Sequence, residues 1–362
     1  MNGAKSFMNY SGKWALSELP TFCKNDKLEQ DSYKVFSCFH GAGGSSMGYK
    51  LAGFNVLGGV EIDPMMMKLY QHNLKPRYSY IMGVEQFNSL PDEDLPKALF
   101  DLDILDGSPP CSSFSIAGAR SKKWGKKMMF REGQKPQILD DLFFHFINTV
   151  KKLRPKIVIA ENVKGLITGK ARGYVKQILQ NMKDIGYKAQ LFLIDSADTG
   201  VPQRRQRVIF IARQMGLELS DLNLQFTHRH ISVKEAFRGV INQEKDLRFL
   251  NENSRKLWEK TKAGDSFETT HKNGSRFNEK KLNPNDTATT LTTRSMPMHW
   301  QYPRRISTME AVRLQSFPDD YDFLHTNGLH AIGMSVPPLM MQNIAQKVKL
   351  QWLDRQSKVS SP

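Results

Sequence analysis

The chain has 362 residues, of which 40% are apolar and 24% are charged. That composition excludes an intrinsically disordered protein and leaves room for one large domain and a smaller one. Lys and Arg number 52 against 36 Asp and Glu, and the net charge of +16 favours a polyanionic partner. Since no apolar run is long enough to span a bilayer, we expect a nucleic acid and no membrane as partner.

Cysteine and histidine usage excludes two common frameworks. The three cysteines, Cys23, Cys38 and Cys111, are odd in number and widely spaced, which argues against disulfides and against a zinc site. The nine histidines show no HxxxH or HExxH spacing, so we expect no metal. The N-terminus carries no secretory signal pattern, and the sequence therefore predicts a cytoplasmic protein.

Short apolar runs alternate with helical patterns between Tyr33 and Arg213, after a polar, aperiodic N-terminal arm at residues 1–32. The predicted strands are Val35–Phe39, Val56–Val60, Leu102–Leu105, Ile157–Ala160, Ala189–Ile194 and Val208–Ala212. The predicted helices between them are Pro64–Asn73, Leu139–Leu153 and Tyr174–Ile185. This alternation predicts an α/β fold over residues 33–213, with a doubly wound, mostly parallel sheet whose ligands gather at the carboxyl ends of its strands.

The alternation stops after Arg213. Residues 214–295 are polar and rich in Asn, Lys and Thr, and this shift in composition predicts a second, smaller domain over residues 214–330. Helical patterns return at Thr308–Ser316 and at Leu339–Leu353, the latter within a C-terminal segment of residues 331–362.

The first motif is FHGAGGSSMG, between a predicted strand and a helical stretch. Its glycines permit a tight turn and close approach of a ligand, and an acid at the end of the next strand can accept hydrogen bonds from ribose hydroxyls. A glycine-rich turn by itself is often structural, but the order strand, turn, helix, strand and acid favours a nucleoside cofactor. The candidate cofactor residues are Phe39, Gly41, Gly43, Gly44, Glu61 and Ile62.

The second motif is DGSPPCSSFS, from Asp106 to Ser115, just beyond a predicted strand. A lone cysteine is more often an inert core residue, yet two prolines stiffen the backbone ahead of Cys111 at a strand end, where a thiol can serve as a nucleophile. The stretch Ala119–Lys135 then carries seven Lys or Arg and one Glu. It is either a solvated charge run or a flap that closes on a phosphate backbone.

Two further motifs follow or lead into apolar strands. ENV places Glu161 after Ile157–Ala160, and PQRRQRV places Arg205 and Arg207 on one side of a strand if the strand begins there. Glu161 could instead cap the next helix, and the arginines could protect a sheet edge from aggregation. Each motif by itself therefore also allows a structural role.

In this order the segments resemble the motif series of the cytosine-5 DNA methyltransferases, in the bacterial restriction-modification branch. The similarity spans Val35 to Val348 and closes with RRISTMEAVRLQSFPDDY at Arg304–Tyr321 and GMSVPP at Gly333–Pro338. It implies an enzyme that transfers a methyl group from S-adenosylmethionine to carbon 5 of a flipped-out cytosine in a specific duplex DNA sequence. It also implies that Pro109, Ser335 and Val336 contact the cofactor.

The resemblance gives each motif a role. Cys111 would attack carbon 6, Glu161 would hydrogen-bond nitrogen 3 and the exocyclic amine, Arg207 would contact oxygen 2, and Arg205 would support the loop or a phosphate. Residues 214–330 would form a target-recognition domain, and residues 331–362 would return to the catalytic domain. We expect the loop 119–135 to contact DNA phosphates independently of sequence, and residues 214–295 to recognise the base sequence. The candidate DNA contacts are Ser115, Arg120, Lys122, Lys123, Lys126, Lys127, Arg276, Asn278 and Arg294.

The sequence departs from the family pattern in three places. The acid usually found near the adenine amine is missing from IMGVEQF at Ile81–Phe87, where Glu85 is a candidate substitute. Ser112 replaces the usual Gln after the nucleophile, and Met334 replaces the usual Asn in the last motif. None of these changes removes a group from the methyl-transfer chemistry.

Two alternatives are open. One is the transfer-RNA branch of the same family, against which the long variable segment 214–295 and the basic excess speak. The other is a catalytically dead DNA-binding regulator, against which the retained Cys111 and Glu161 speak. We expect a monomer, and a partner restriction endonuclease acting on the same site would form no stable complex with it.

Overall fold

The computed structural model describes residues 13–21, 31–110, 127–128, 137–138, 141–168, 171–271, 276, 278–293 and 296–355. The chain divides into two compact units. The sheet unit comprises residues 19–194, 206–225 and 341–362, and the second unit comprises residues 1–18, 195–205 and 226–340. This division differs from the sequence-based boundary at Arg213, because residues 195–205 group with the second unit and residues 214–225 with the sheet.

The six strands predicted from short apolar runs all belong to one sheet, together with a seventh strand, Tyr78–Ile81, that was not predicted. In chain order the strands are β1 (Lys34–Cys38), β2 (Asn55–Glu61), β3 (Tyr78–Ile81), β4 (Ile104–Gly107), β5 (Lys127–Met128), β6 (Gln137–Ile138), β7 (Ile157–Val163), β8 (Tyr187–Asp195), β9 (Gln203–Arg204), β10 (Gln206–Gln214) and β11 (Ala288–Thr289). The seven-stranded sheet has the order β3-β2-β1-β4-β7-β10-β8. Strands β3, β2, β1, β4 and β7 are parallel, and β10 is antiparallel to β7. The mostly parallel α/β sheet is confirmed.

The five helices predicted with bounds are present with small shifts at their ends, and the structure adds helices that were not predicted, at Val84–Asn88, Val233–Ala236, Glu252–Lys260 and Gly328–Met334. They are α1 (Gly44–Leu51), α2 (Pro64–Leu74), α3 (Val84–Asn88), α4 (Leu142–Leu153), α5 (Arg172–Asp184), α6 (Val233–Ala236), α7 (Glu252–Lys260), α8 (Thr308–Leu314), α9 (Gly328–Met334) and α10 (Pro338–Val348), which continues as a π-helical turn at Lys349–Leu353. Local chemistry sets the starts of two of them. Asp63 caps α2, since its carboxylate accepts from the amides of Met65 and Met66, and Pro64 is the first residue of the helix. At the start of α8, Ser307 and Glu310 form a capping box.

The core of the sheet unit lies between the sheet and its helices. All seven residues of β2 are buried, as expected of a strand covered on both faces. Phe146 of α4 is fully buried and packs at the end of β4, where a Cβ on Gly107 would lie 2.5 Å from its ring. Only glycine therefore fits at the residue where β4 ends and the PPC segment begins.

The N-terminal arm contributes contacts to the second unit. The buried Trp14 donates its indole N–H to the carbonyl of Ser316 at 3.0 Å, and the Leu16 amide donates to the Asp320 carboxylate at 2.8 Å. In the same unit, β9 and β11 form a short parallel pair. Within the described ranges, every helix is too short or too polar to cross a bilayer.

Candidate active site

The glycine-rich segment follows β1 as a loop with a left-handed backbone. Phe39, Gly41 and Gly43 have φ angles of 55°, 53° and 84°. Gly43 precedes α1 and packs so closely on α2 that a Cβ there would lie 2.6 Å from Leu74 and 2.7 Å from Tyr70. At Gly41, by contrast, no described atom lies within 4 Å of the Cβ position. The loop thus requires glycine at Gly43, where it packs on α2, and leaves room for a ligand at Gly41.

Glu61 lies at the end of β2 and holds this loop. Its carboxylate accepts from the Gly41 amide at 3.0 Å and from the Asp63 amide at 2.9 Å. The side chain is buried, and this burial raises its pKa, while the backbone hydrogen bonds act in the opposite direction. Phe39 and Ile62, the other candidates in this region, are half-buried. The structure therefore brings the predicted loop and the predicted acid into direct contact.

A hydrogen bond from the side-chain amide of Asn162 joins the PPC segment to the ENV segment. Pro109 is buried, and its carbonyl accepts from the Asn162 side chain at 3.1 Å. The Asn162 oxygen in turn accepts from the Val163 amide at 2.8 Å. Cys111, two residues beyond Pro109, lies outside the described residues, as do Ser112, Ser115, Arg120, Lys122, Lys123, Lys126 and Arg294. Lys127 is described only as backbone, in the antiparallel pair of β5 with β6.

Glu161 lies inside β7 and forms an ion pair with Arg207. In the antiparallel register of β7 and β10, Glu161 is opposite Ile209, and the Nε of Arg207 lies 2.7 Å from the Glu161 Oε1. Their side chains are 11% and 14% exposed. The 3-10 turn that follows starts after Val163, which rules out Glu161 as its cap. The pair thus presents a carboxylate and a guanidinium together, and Glu161 is next in sequence to Asn162, whose side chain bonds to Pro109.

Arg205 does not share a strand with Arg207. Strand β10 begins at Gln206, so the condition for placing both arginines on one side is not met. Arg205 is 3% exposed and donates to the carbonyls of Leu291 at 3.0 Å and Gly333 at 3.1 Å. Its guanidinium clamps two backbone segments of the second unit, which agrees with loop support and not with a contact to substrate.

The closing GMSVPP motif spans the end of α9. The Ser335 hydroxyl donates to the carbonyl of Ala331 at 2.8 Å, and the Ser335 carbonyl accepts from the Gln315 side chain at 2.6 Å. Val336 is buried, and Met334 is 44% exposed. The motif is therefore held by its own unit, with a flexible apolar side chain at the position of the usual Asn.

Of the two described candidates for sequence reading, Arg276 is already engaged within the chain. Its guanidinium donates to both oxygens of Glu279 at 2.7 and 2.9 Å and to Ser254 at 3.1 Å, and it lies over the Phe267 ring. Asn278 is exposed. The contacts of Arg276 favour a structural role over base reading.

Glu85, the candidate substitute for the missing acid, belongs to α3. Its side chain is 80% exposed and lies 3.9 Å from His145 of α4. The position beside Glu61 on the next strand is Ile81, which is its register partner and is 51% exposed. An apolar side chain thus stands at the carboxyl end of β3. No group of metal ligands is present in the described part of the chain.

Sequence reasoning missed two residues that the structure brings to this site. Asn162 was part of the ENV motif, but its amide was given no role. Asp106, in the DGSPPC motif, is 1% exposed and accepts hydrogen bonds from Ser37, Ser45 and Tyr49. An acid inside an otherwise apolar strand was the available signal, because such an acid requires buried partners.

Comparison with known proteins identifies the family of this chain. The sequence profile of the C-5 cytosine-specific DNA methylases matches residues 33–350. The type II methyltransferase M1.HphI of Haemophilus parahaemolyticus is 29% identical over 94% of this chain and 91% of its own, and M.DdeI of Desulfomicrobium norvegicum is 28% identical over 87% and 88%.

Solved structures support the fold. A prophage-encoded protein of E. coli described as a DNA modification methyltransferase superposes with a TM-score of 0.70 at 23% identity, covering 88% of this chain and 99% of its own. A Spodoptera frugiperda DNMT2 mutant gives a TM-score of 0.63 at 17% identity, with coverage of 88% and 99%. With the family profile matching most of its length, this chain belongs to the C-5 cytosine-specific DNA methylases and is a DNA cytosine-5-methyltransferase that uses S-adenosylmethionine.

Proposed function

We propose that the enzyme modifies duplex DNA through a covalent adduct between Cys111 and the target cytosine. What carries the proposal is the hydrogen bond between Asn162 and the Pro109 carbonyl, because it ties the segment that leads to Cys111 to the strand that bears Glu161. A nucleophile and an acid must both reach one base, and this tie keeps their backbones in register.

In the proposed reaction the Cys111 thiolate adds to carbon 6 of a flipped-out cytosine. A carbon–sulfur bond forms, and the electron pair of the 5,6 double bond becomes available at carbon 5. When bound, S-adenosylmethionine would supply the methyl group that carbon 5 takes up, activated by its sulfonium, with S-adenosylhomocysteine as the leaving group. A base then removes the proton from carbon 5, the double bond returns, and the thiolate leaves carbon 6, so that Cys111 is regenerated.

Glu161 assists the attack at the other side of the ring. Its carboxyl shares a proton with nitrogen 3 and accepts from the exocyclic amine, which lets the ring take up negative charge as the thiolate adds. Arg207 holds this carboxyl at 2.7 Å and is itself oriented by the Gln206 carbonyl at 2.8 Å. Its remaining N–H groups are suited to oxygen 2 of the base.

The cofactor would be held by the glycine-rich loop and the strand ends beside it. The open position at Gly41 leaves room for close approach to the backbone, and the Glu61 carboxylate adjoins it. Ile62 and Pro109 stand at the ends of the neighbouring strands, and Ser335 and Val336 belong to the closing motif. This set of backbone amides and a carboxylate suits a nucleoside with ribose hydroxyls.

DNA recognition divides between two segments in this proposal. The basic loop 119–135 contacts phosphates without regard to sequence, while residues 214–295 read base edges, with the exposed Asn278 as a candidate. The enzyme would act as a cytoplasmic monomer and protect sites cut by a restriction endonuclease. Mapping 5-methylcytosine at base resolution after expression in cells that lack it would identify the recognised sequence, and transfer RNA as a parallel substrate tests the other branch.

Trapping tests the covalent step. A duplex with 5-fluorocytosine at the target should form a complex with the wild type that survives denaturing electrophoresis, because fluorine is not removed in place of the carbon 5 proton. Cys111→Ser should neither trap nor methylate, and Cys23→Ser should do both. Methylation by Cys111→Ser at the wild-type rate would overturn the mechanism.

Glu161 is tested by Glu161→Gln, which keeps the shape and removes the acid. Methyl transfer should fall by ~10²–10⁴-fold, the usual contribution of a positioned acid or base. Binding of S-adenosylhomocysteine should persist. An equal loss of cofactor binding would show that Glu161 has a structural role instead.

A further inference from the structure

A buried carboxylate lies beneath the cofactor loop and has no part in the reaction described above. Asp106 of β4 is 1% exposed. It accepts from the Ser37 hydroxyl at 2.6 Å, from the Tyr49 hydroxyl at 3.2 Å and from the Ser45 hydroxyl. Among the residues that the structure describes, no cation forms an ion pair with it. A buried anion therefore depends on three hydroxyl groups for its stabilisation.

The three donors divide into two kinds by their position in the fold. Ser37 lies on β1 as the register partner of Asp106, so its hydrogen bond joins two neighbouring strands that the sheet already joins. Ser45 and Tyr49 lie four residues apart on α1 and so present their hydroxyls on one face of that helix. Their hydrogen bonds join the helix to the strand, a link that backbone pairing does not provide.

Helix α1 continues directly from the glycine-rich loop. Its cap, Gly43, has a left-handed backbone and offers no side-chain hydrogen bond. The loop is held on the side of β2 by the Glu61 carboxylate, which accepts from the Gly41 amide. On the side of β4, the corresponding carboxylate is Asp106. Two acids on the strands that flank β1 thus hold the loop and the first turns of α1 from opposite sides.

We propose that Asp106 is a positioning residue for the methyl donor. Through Ser45 and Tyr49 it fixes the start of α1 on β4, so that the amides of the glycine-rich loop stand ready for the cofactor. Strand β4 ends at Gly107 and leads through Pro109 to Cys111, so the same carboxylate relates the cofactor loop to the segment that bears the nucleophile. The inference rests on the proposed assignment of this loop to the cofactor.

Two matched variants separate positioning from simple stabilisation. Ser45→Ala and Ser37→Ala each remove one hydroxyl bonded to the same oxygen of the same buried carboxylate. Only the first of these bonds reaches α1. The two variants should lose similar amounts of thermal stability, which provides the control for a general effect of the missing hydrogen bond.

The measurement is the Kd of S-adenosylhomocysteine by calorimetry, beside the thermal midpoint of each variant. Ser45→Ala should raise the Kd about tenfold, the equivalent of one hydrogen bond to a charged group, and Ser37→Ala should change it less than about twofold. Asp106→Asn should weaken binding further, since one amide oxygen cannot replace two carboxylate oxygens. In methylation assays, Ser45→Ala should raise the KM for S-adenosylmethionine more than it lowers kcat.

If Ser45→Ala does not fold, Tyr49→Phe can be compared with Ser37→Ala in its place, because it removes the other hydroxyl that joins α1 to Asp106. Equal weakening by Ser37→Ala and the α1 variants would overturn the proposal and leave Asp106 a structural residue. An unchanged Kd in the α1 variants would overturn it as well. Failure of the wild type to bind S-adenosylhomocysteine would overturn the cofactor-loop assignment itself, which is a distinct result.

Discussion

The dependence of folding stability on pH tests whether the Asp106 carboxyl is buried as the structure shows. Burial, together with the charge of Glu161, raises the pKa of Asp106 from 3.8 to about 6, although the hydroxyls of Ser37, Ser45 and Tyr49 act in the opposite direction. In the unfolded chain the carboxyl ionises near its ordinary value. Between those two pKa values the unfolded state is ionised and the folded state is protonated, so the folded protein loses stability as the pH rises.

The magnitude follows from the two pKa values. One pKa unit corresponds to about 1.4 kcal/mol, so the full cost of ionising Asp106 in the folded state is about 3 kcal/mol. About 1 kcal/mol of this is already present at pH 4.5, because the unfolded carboxyl is then mostly ionised. From pH 4.5 to pH 8, the wild type should therefore lose about 2 kcal/mol of unfolding free energy relative to Asp106→Asn.

Urea unfolding followed by circular dichroism at several pH values between 4.5 and 8 measures this difference. Subtracting the Asp106→Asn curve from the wild-type curve removes the contribution of other titrating groups to first order. Ser37→Ala retains the carboxylate and should retain the pH-dependent loss. Parallel curves for the wild type and Asp106→Asn would refute the burial of an unpaired carboxylate, and a wild type that gains stability with pH would indicate a cationic partner.

Three further variants test the site. Arg207→Lys keeps the charge but loses the guanidinium that holds Glu161, and methylation at saturating substrates should fall about 10²-fold with the Kd of S-adenosylhomocysteine unchanged. Asn162→Ala leaves the Pro109 carbonyl without its donor, and single-turnover methyl transfer should slow about tenfold; a rate within twofold of the wild type would dismiss the tie between the two segments. Replacing Lys122, Lys123, Lys126 and Lys127 with Gln should weaken binding to all duplexes and reduce the salt dependence of Kd, whereas a changed sequence preference would contradict their assignment to phosphate contacts.

Local patterns predicted most of the sheet because its strands carry their signal in consecutive residues. Buried parallel strands such as β2 and β7 are apolar runs, and the motifs at their ends lie within ten or so positions of each strand. Strand β3 was not among the predicted strands. It lies at the edge of the sheet, its Tyr-Ser-Tyr-Ile sequence is only partly buried, and it carries neither an apolar run nor a clean alternation.

The sequence by itself determined the family and the overall reaction, because the motifs that carry them are short and their order along the chain is diagnostic. Only the tertiary structure decided which side chains meet. Glu161 and Arg207 pair because β10 runs antiparallel to β7, whereas Arg205 precedes β10 and donates to the Leu291 carbonyl within the second unit. Asp106 is bonded to residues 57 to 69 positions distant. Such contacts depend on strand order and on how a helix lies on its sheet, and no local pattern of residues encodes either.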